Sequence, residues 1–203
     1  KYSVLQEGDV VTVEAKSKGK SSLLGFFGRR GSVDIVVTAP RATALDIRTG
    51  NGAVEASGFE SESSVRTANG RIALQHMKGG LDVVATNGKI SLGACEGDVI
   101  ARTTNGPIKV EDAMGSINAS TVNGPLTFSG ELLPSGNSKL KTVNGPVGVT
   151  LLGQLSLKVD ASCVAGRVKS ELPGLKASGR SLEGTIGEGE AELVVRTVNG
   201  LIN

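Results

Sequence analysis

Seven short stretches of this chain follow one pattern: RTGNGAV, RTANGRI, VATNGKI, RTTNGPI, STVNGPL, KTVNGPV and RTVNGLI. Their asparagines are Asn51, Asn69, Asn87, Asn105, Asn123, Asn144 and Asn199, so the first four gaps are 18 residues each and the fifth is 21. A degenerate copy, SCVAGRV, puts Ala165 and Gly166 in the same frame 21 residues further on, and Asn199 follows after another 34. Each copy has the same flanks. Three and five residues after the asparagine the side chains are apolar, as at Ile72 and Leu74, Ile90 and Leu92, Ile108 and Val110, and Leu126 and Phe128. Two, four and six residues before it they are small, apolar or Thr, as at Thr103, Ala101 and Val99. Both sets alternate with polar residues, which is the period of a strand with one buried face. A second glycine lies about half a repeat away, at Gly79, Gly97, Gly115 and Gly136.

A single Asn-Gly between alternating strands signals a β-hairpin. An antiparallel meander, however, does not require neighbouring repeats to be identical. A solenoid does, because each position sits over its equivalent in the next coil, about 4.8 Å away. The repeat therefore predicts a single-stranded parallel β-helix, or β-solenoid, with about 18 residues and two short strands per coil. Eight marks predict about eight coils and a stack roughly 40 Å long at ~4.8 Å per coil. Right-handed winding is expected, since parallel crossovers are nearly always right-handed. The left-handed hexapeptide helix also has 18 residues per coil, but its aliphatic sixth position read from Ile90 gives Glu96 and Arg102. Stacked asparagines predict a side-chain ladder through Asn51, Asn69, Asn87, Asn105, Asn123, Asn144 and Asn199, as in stacked-strand assemblies. Asn and Gly are also expected to supply left-handed backbone at the corner.

The whole chain, 1–203, reads as one solenoid domain. Residues 1–41 lack the repeat and form an N-terminal cap, in which DVVTVEA (9–15) and SVDIVVTAP (32–40) are expected to pair. Residues 42–170 hold the regular coils, 171–190 form an excursion, and 191–203 restore the pattern as a last coil. Within the cap, residues 16–31 carry five basic residues and no acid around Leu23, Leu24, Phe26 and Phe27, followed by Arg29 and Arg30. One reading is a loop folding over the cap. The other is contact with a partner or an anionic membrane surface, where an apolar tip and basic flanks would cooperate. The chain starts at Lys1 rather than Met, as expected of a processed or trimmed product.

Charge is nearly balanced, 22 basic against 20 acidic residues, which argues against a nucleic-acid binder. Four Phe, one Tyr and no Trp leave few platforms for stacking bases or sugars. Chemistry is as scarce. The outward acids Asp46, Glu55, Asp82, Glu111 and Asp160 fall in different columns, not in the cluster that a polysaccharide-cleaving β-helix needs. Arg48, Arg66, Arg102, Lys141 and Arg196 share a column three residues before the asparagine, with Asp46 and Asp82 two residues earlier. This predicts a salt-bridged, solvated face, with an anion-binding stripe as the sharper reading. The single His76 excludes a two-His metal site, and GGLDV (79–83) lacks the spacing of calcium-binding β-rolls. Cys163 takes the Thr position and faces the core, whereas Cys95 lies at the opposite corner and reads merely as a small residue. They sit about four coils apart, too far for a disulfide at ~4.8 Å per coil. No catalytic, metal or cofactor residue is assigned.

The repeats T-x-N-G-x-[VI]-x-[VL], the entry VDIVVTAPRATALDIRT and the closing GEGEAELVVRTVNG resemble a bacterial adhesin-type domain of unknown function over residues 32–203. That resemblance implies a β-solenoid, often on the outer side of a bacterial membrane, with no catalytic residues to carry over. The expectation is a non-enzymatic, adhesin-like surface or interaction module at the cell surface, or alternatively in the cytoplasm. Its partner would be a protein or surface polymer, not nucleic acid, with 16–31 available for membrane contact. Alternatives are a structural or assembly protein and, last, a carbohydrate-active enzyme.

Overall fold

Alternating small apolar and polar residues become strand wherever the repeat runs. The computed structural model describes residues 2–15, 34–172, 174–175 and 177–203, and every element in them is a β-strand. Residues 1–39 form one compact unit and residues 40–203 another. The first contains an antiparallel hairpin, β1 (Tyr2–Glu7) and β2 (Val10–Ala15), with Glu7 opposite Val10. This corrects the expected pairing of 9–15 with 32–40: the partner of β2 is β1, and 34–40 takes no strand. The local solution wins because Gly8, at φ 60°, turns the chain within two residues. A longer connection would have to close a larger loop.

The second unit is the solenoid. One side of each coil is a long strand ending on the repeat asparagine: β3 (Leu45–Asn51), β5 (Ser63–Asn69), β7 (Leu81–Asn87), β9 (Val99–Asn105), β11 (Ile117–Asn123) and β13 (Asn137–Asn144). The next side has four residues in the first three coils and five to seven in the others: β4 (Val54–Ser57), β6 (Ile72–Gln75), β8 (Ile90–Gly93), β10 (Ile108–Met114), β12 (Leu126–Glu131) and β14 (Val147–Leu151). Both stacks pair in parallel with asparagine over asparagine, as in Asn51↔Asn69 and Asn105↔Asn123. A third side is reduced to single bridges, Lys78↔Glu96↔Met114, so the coil has three sides where two were expected.

These strand pairs make six full turns, not eight. The last two marks belong to long strands, β15 (Leu157–Val168) and β17 (Ala191–Ile202), which extend the asparagine column to eight strands. Their order in space is not their order in sequence. β17 lies between β13 and β15, so Asn144 pairs with Asn199 and Asn199 with Ala165. Within residues 171–190, β16 (Ser181–Ile186) runs antiparallel along the other edge of β15, and Leu182 and Leu175 are buried there. β15 is thus paired on both edges, whereas among the described residues β3 pairs only with β5 and β4 only with β6.

The core is two apolar columns from each of the two stranded sides and one from the third. Leu81, Val83, Val99, Ala101, Ile117 and Ala119 come from the long strands, and Ile72, Leu74, Ile90, Leu92, Ile108 and Phe128 from the second side, all buried. The third side adds Met77, Cys95 and Ala113. Phe128 is among the largest buried side chains, and Gly130 two residues on is fixed by proximity: a Cβ there would lie closer than 3.0 Å to the carbonyl oxygen of Ala113.

Candidate functional site

The repeat residues turn out to be structural, each for a definable reason. Six hydrogen bonds run up the asparagine column, each from Nδ2 of one residue to Oδ1 of its neighbour, at 2.8–2.9 Å. They link all seven asparagines from Asn51 to Asn199 and all point the same way. The asparagines do not supply the expected left-handed backbone: they end extended strands, and among the described residues the non-glycine residues with positive φ are His76, Ala94, Asp112 and Ser135. Three of these, His76, Ala94 and Asp112, stack 18 residues apart at the far corner, where the second side turns into the third. Of the glycines that follow the repeat mark, Gly106, Gly124 and Gly166 do have positive φ, at 151–159°.

The glycine after each asparagine is fixed by proximity. A Cβ on Gly70, Gly88, Gly106, Gly124, Gly145 or Gly200 would lie closer than 3.0 Å to the carbonyl oxygen of the neighbouring glycine. Gly52, in the end coil, meets no such atom. The threonine column donates to these same carbonyls: Thr103 to Gly88, Thr121 to Gly106, Thr142 to Gly124 and Thr197 to Gly145, at 3.0–3.3 Å. These four hydroxyls therefore satisfy the corner backbone, whereas the buried hydroxyl of Thr67 in the same column has no hydrogen-bond partner among the described residues.

Charges on the outward face of the long strands are mostly paired. Asp46 takes two bonds from Arg48 on its own strand, at 2.8 and 3.1 Å. Asp82 lies between coils, 2.5 Å from Arg66 and 3.8 Å from Arg102. Asp160 accepts from Arg196, which also donates to the Asp160 backbone carbonyl at 2.9 Å. That hydrogen bond holds the Asp160 carboxyl below its ordinary range and raises Arg196. In the basic column only Lys141 has no acidic partner among the described residues. Exposed surface pairs of this kind contribute about 0–1 kcal/mol each.

Among the described residues no three His, Cys, Asp or Glu side chains come together as a metal site. Two shallow hollows, about 390 and 250 Å³, flank the turn 133–137 of a 21-residue coil and share Ser135, Gly136 and Asn137 in their walls. Cys163 faces the core as expected. Cys95 is not merely small: it is buried between Met77 and Ala113, and that burial pushes its thiol up. Both thiols are free. Leu23, Leu24, Phe26, Phe27, Arg29 and Arg30, the candidate contact segment, lie outside the described residues.

The Toastrack DUF4097 family model matches residues 1–203. The chain belongs to the Toastrack family. The match covers the N-terminal residues as well as the repeat. No curated protein and no solved structure is similar enough to the chain to match. What is established for this Toastrack chain is thus a β-solenoid of a family of unknown function.

One feature of its surface escaped the sequence reading. The position just before each asparagine points outward, and it reads Gly50, Ala68, Thr86 and Thr104 in the first four coils. In the remaining layers it is valine: Val122, Val143, Val198 and Val164, stacked in that order. Val164 is 63% exposed, Val122 41% and Val198 37%. The signal was present as the change from [TA]-[GAT]-N-G to T-V-N-G. It was masked because valine also suits a strand for purely local reasons.

Proposed function

We propose that this domain is a non-catalytic, adhesin-like interaction module that binds through the outward face of its long strands. The observation that carries the reading is the stripe Val122, Val143, Val198 and Val164, four apolar side chains in one column over neighbouring layers, exposed except for the half-buried Val143; Val84, Ile100 and Val194 also lie on this face, half-buried and outside that column. A contiguous apolar stripe on a rigid flat sheet is a contact surface, whereas scattered exposed valines are ordinary. Lys139 and Lys141, without acidic partners among the described residues, flank it on β13. The surface therefore suits a flat or extended protein segment or surface polymer with apolar groups and an acidic margin. Placement outside the cytoplasmic membrane is part of this reading and rests on the adhesin-type resemblance of the repeat.

The test is a panel of bacterial surface polymers, glycans and envelope proteins presented to the wild type and to Val164→Lys/Val198→Lys. These positions face solvent, so the double variant is expected to fold and melt like the wild type. Binding without turnover, weakened at least tenfold in the double variant, is the expected result. Release of product by the wild type, lost on changing Asp82→Asn or Glu111→Gln, would replace the reading with an enzyme.

A further inference from the structure

The two ends of the coil stack are finished differently. At the β15 end, the inward residues Leu157, Val159, Ala161 and Cys163 are 2–6% exposed, because β16 pairs with that edge and Leu175 and Leu182 lie over the core. At the β3 end, the equivalent Leu45 and Ile47 are only half-buried, although Leu81 and Val83 in the same columns two coils on are at 2% and 0%. Ala56 on β4 is also half-buried. The outer edges of β3 and β4 have no strand partner among the described residues. An open edge presents a row of unpaired N–H and C=O groups and templates pairing with another strand. Natural edge strands are protected by prolines, bulges, shortness or repelling charge. β3 is seven residues long and has no proline and no bulge.

We propose that the β3 edge is a two-fold interface, at which the β3 strands of two copies of this domain pair antiparallel about Ile47. The charge pattern of the strand selects this occupant. When Ile47 faces Ile47 of the second copy, Asp46 of each strand lies across from Arg48 of the other, on the outward face. Leu45 lies across from Thr49 on the core face. Antiparallel pairs of opposite charge are favourable and like charges directly opposite are unfavourable. β3 is thus complementary to itself in one register, and the Asp46–Arg48 pairs of the two copies join into an alternating ring of four charges. Leu45, Ile47 and Ala56 would meet their counterparts across the junction and leave water. The β15 end is already paired, so the contact closes at two copies and cannot propagate into a filament. This inference does not depend on the valine stripe, which lies in the opposite half of the stack.

Sedimentation velocity of the wild type, Arg48→Asp, and the charge-exchanged Asp46→Arg/Arg48→Asp tests it. The wild type is expected to form a dimer, and Arg48→Asp, which sets four acids around the axis, a dimer at least about tenfold weaker. The exchanged double variant restores opposite charges across the axis and is expected to recover the dimer. That recovery separates a pairing role from loss of fold, which circular dichroism of each variant checks. A wild type that stays monomeric up to about 1 mM overturns the proposal. So does a dimer that Arg48→Asp leaves at full strength, because its contact would lie elsewhere. Failure of either kind leaves the valine-stripe reading intact, since the polymer panel is scored on the monomer's own face.

Discussion

The Asn-Gly pair is usually asked to turn a chain. Here its two residues solve two packing problems in adjacent columns. The asparagine needs a neighbour above and below, and the glycine needs to have no side chain at all. Asn105 both donates to Asn87 and accepts from Asn123, whereas Asn51 only accepts. Asn105→Ala is therefore expected to cost about 1 kcal/mol, and Asn51→Ala roughly half as much. Equal melting temperatures for the two would remove the ladder as a source of stability. Ala94 poses the opposite problem, an L side chain held at φ 49°. Ala94→Gly relieves that conformation and should stabilise the fold by roughly 1 kcal/mol, read as an increase in urea midpoint. Asp160 carries a pH dependence. Its folded carboxyl lies below the ordinary value because Arg196 donates to it. Its contribution is therefore complete above about pH 4 and disappears as pH falls through the lower folded value. Asp160→Asn should be less stable than wild type at neutral pH, and the two urea midpoints should converge in acid.

At the scale of elements, the repeat made column membership legible and left stacking order hidden. Val99, Ala101, Thr103, Ile108 and Val110 read as inward from their alternation alone, and they are inward. The interpolation of β17 between β13 and β15 was not legible, because every copy of the motif offers the same edges. Any two copies can pair, and only the connections decide which do. Ala165 now has an account: it occupies the outermost layer of the column, where a rung would have a partner on one side only. Asn199 Oδ1 faces that position and takes no hydrogen bond among the described residues. Ala165→Asn should extend the ladder by one bond to Asn199 and raise stability by about 0.5–1 kcal/mol. No gain, or a loss, would show that this layer does not hold the geometry of the others. The third side was equally hidden, since a side made of one bridging residue per coil has no period to detect. The valine stripe was visible but ambiguous. One residue type served both strand formation and exposure, and only the three-dimensional order placed Val198 between Val143 and Val164.

Across the whole stack, stability should be greatest in the middle layers and least at the less finished end. Every strand of the asparagine column except β3 has a neighbour on both sides. In dilute solution, amide hydrogen exchange should be slowest in β7, β9 and β11, slow in β15 beneath β16, and fastest within the solenoid at β3. Equal protection of β3 and β15 would contradict the difference in core exposure between the two ends. A thin core with near-identical layers also means that each layer supports only its neighbours, as in other solenoids. Damage to the glycine column at Gly106 should therefore unzip adjacent coils before distant ones.

The uniform direction of the asparagine bonds has an electrical meaning. Seven amide groups joined head to tail by six hydrogen bonds behave as aligned dipoles, so their partial charges cancel along the column and survive at its tips. The Nδ2 of Asn51, unpaired among the described residues, leaves a fractional positive pole at the β3 end, and Oδ1 of Asn199 leaves a fractional negative one toward β15. The solenoid thereby acquires from its side chains what an α-helix acquires from its backbone, a polarity that tells its two ends apart.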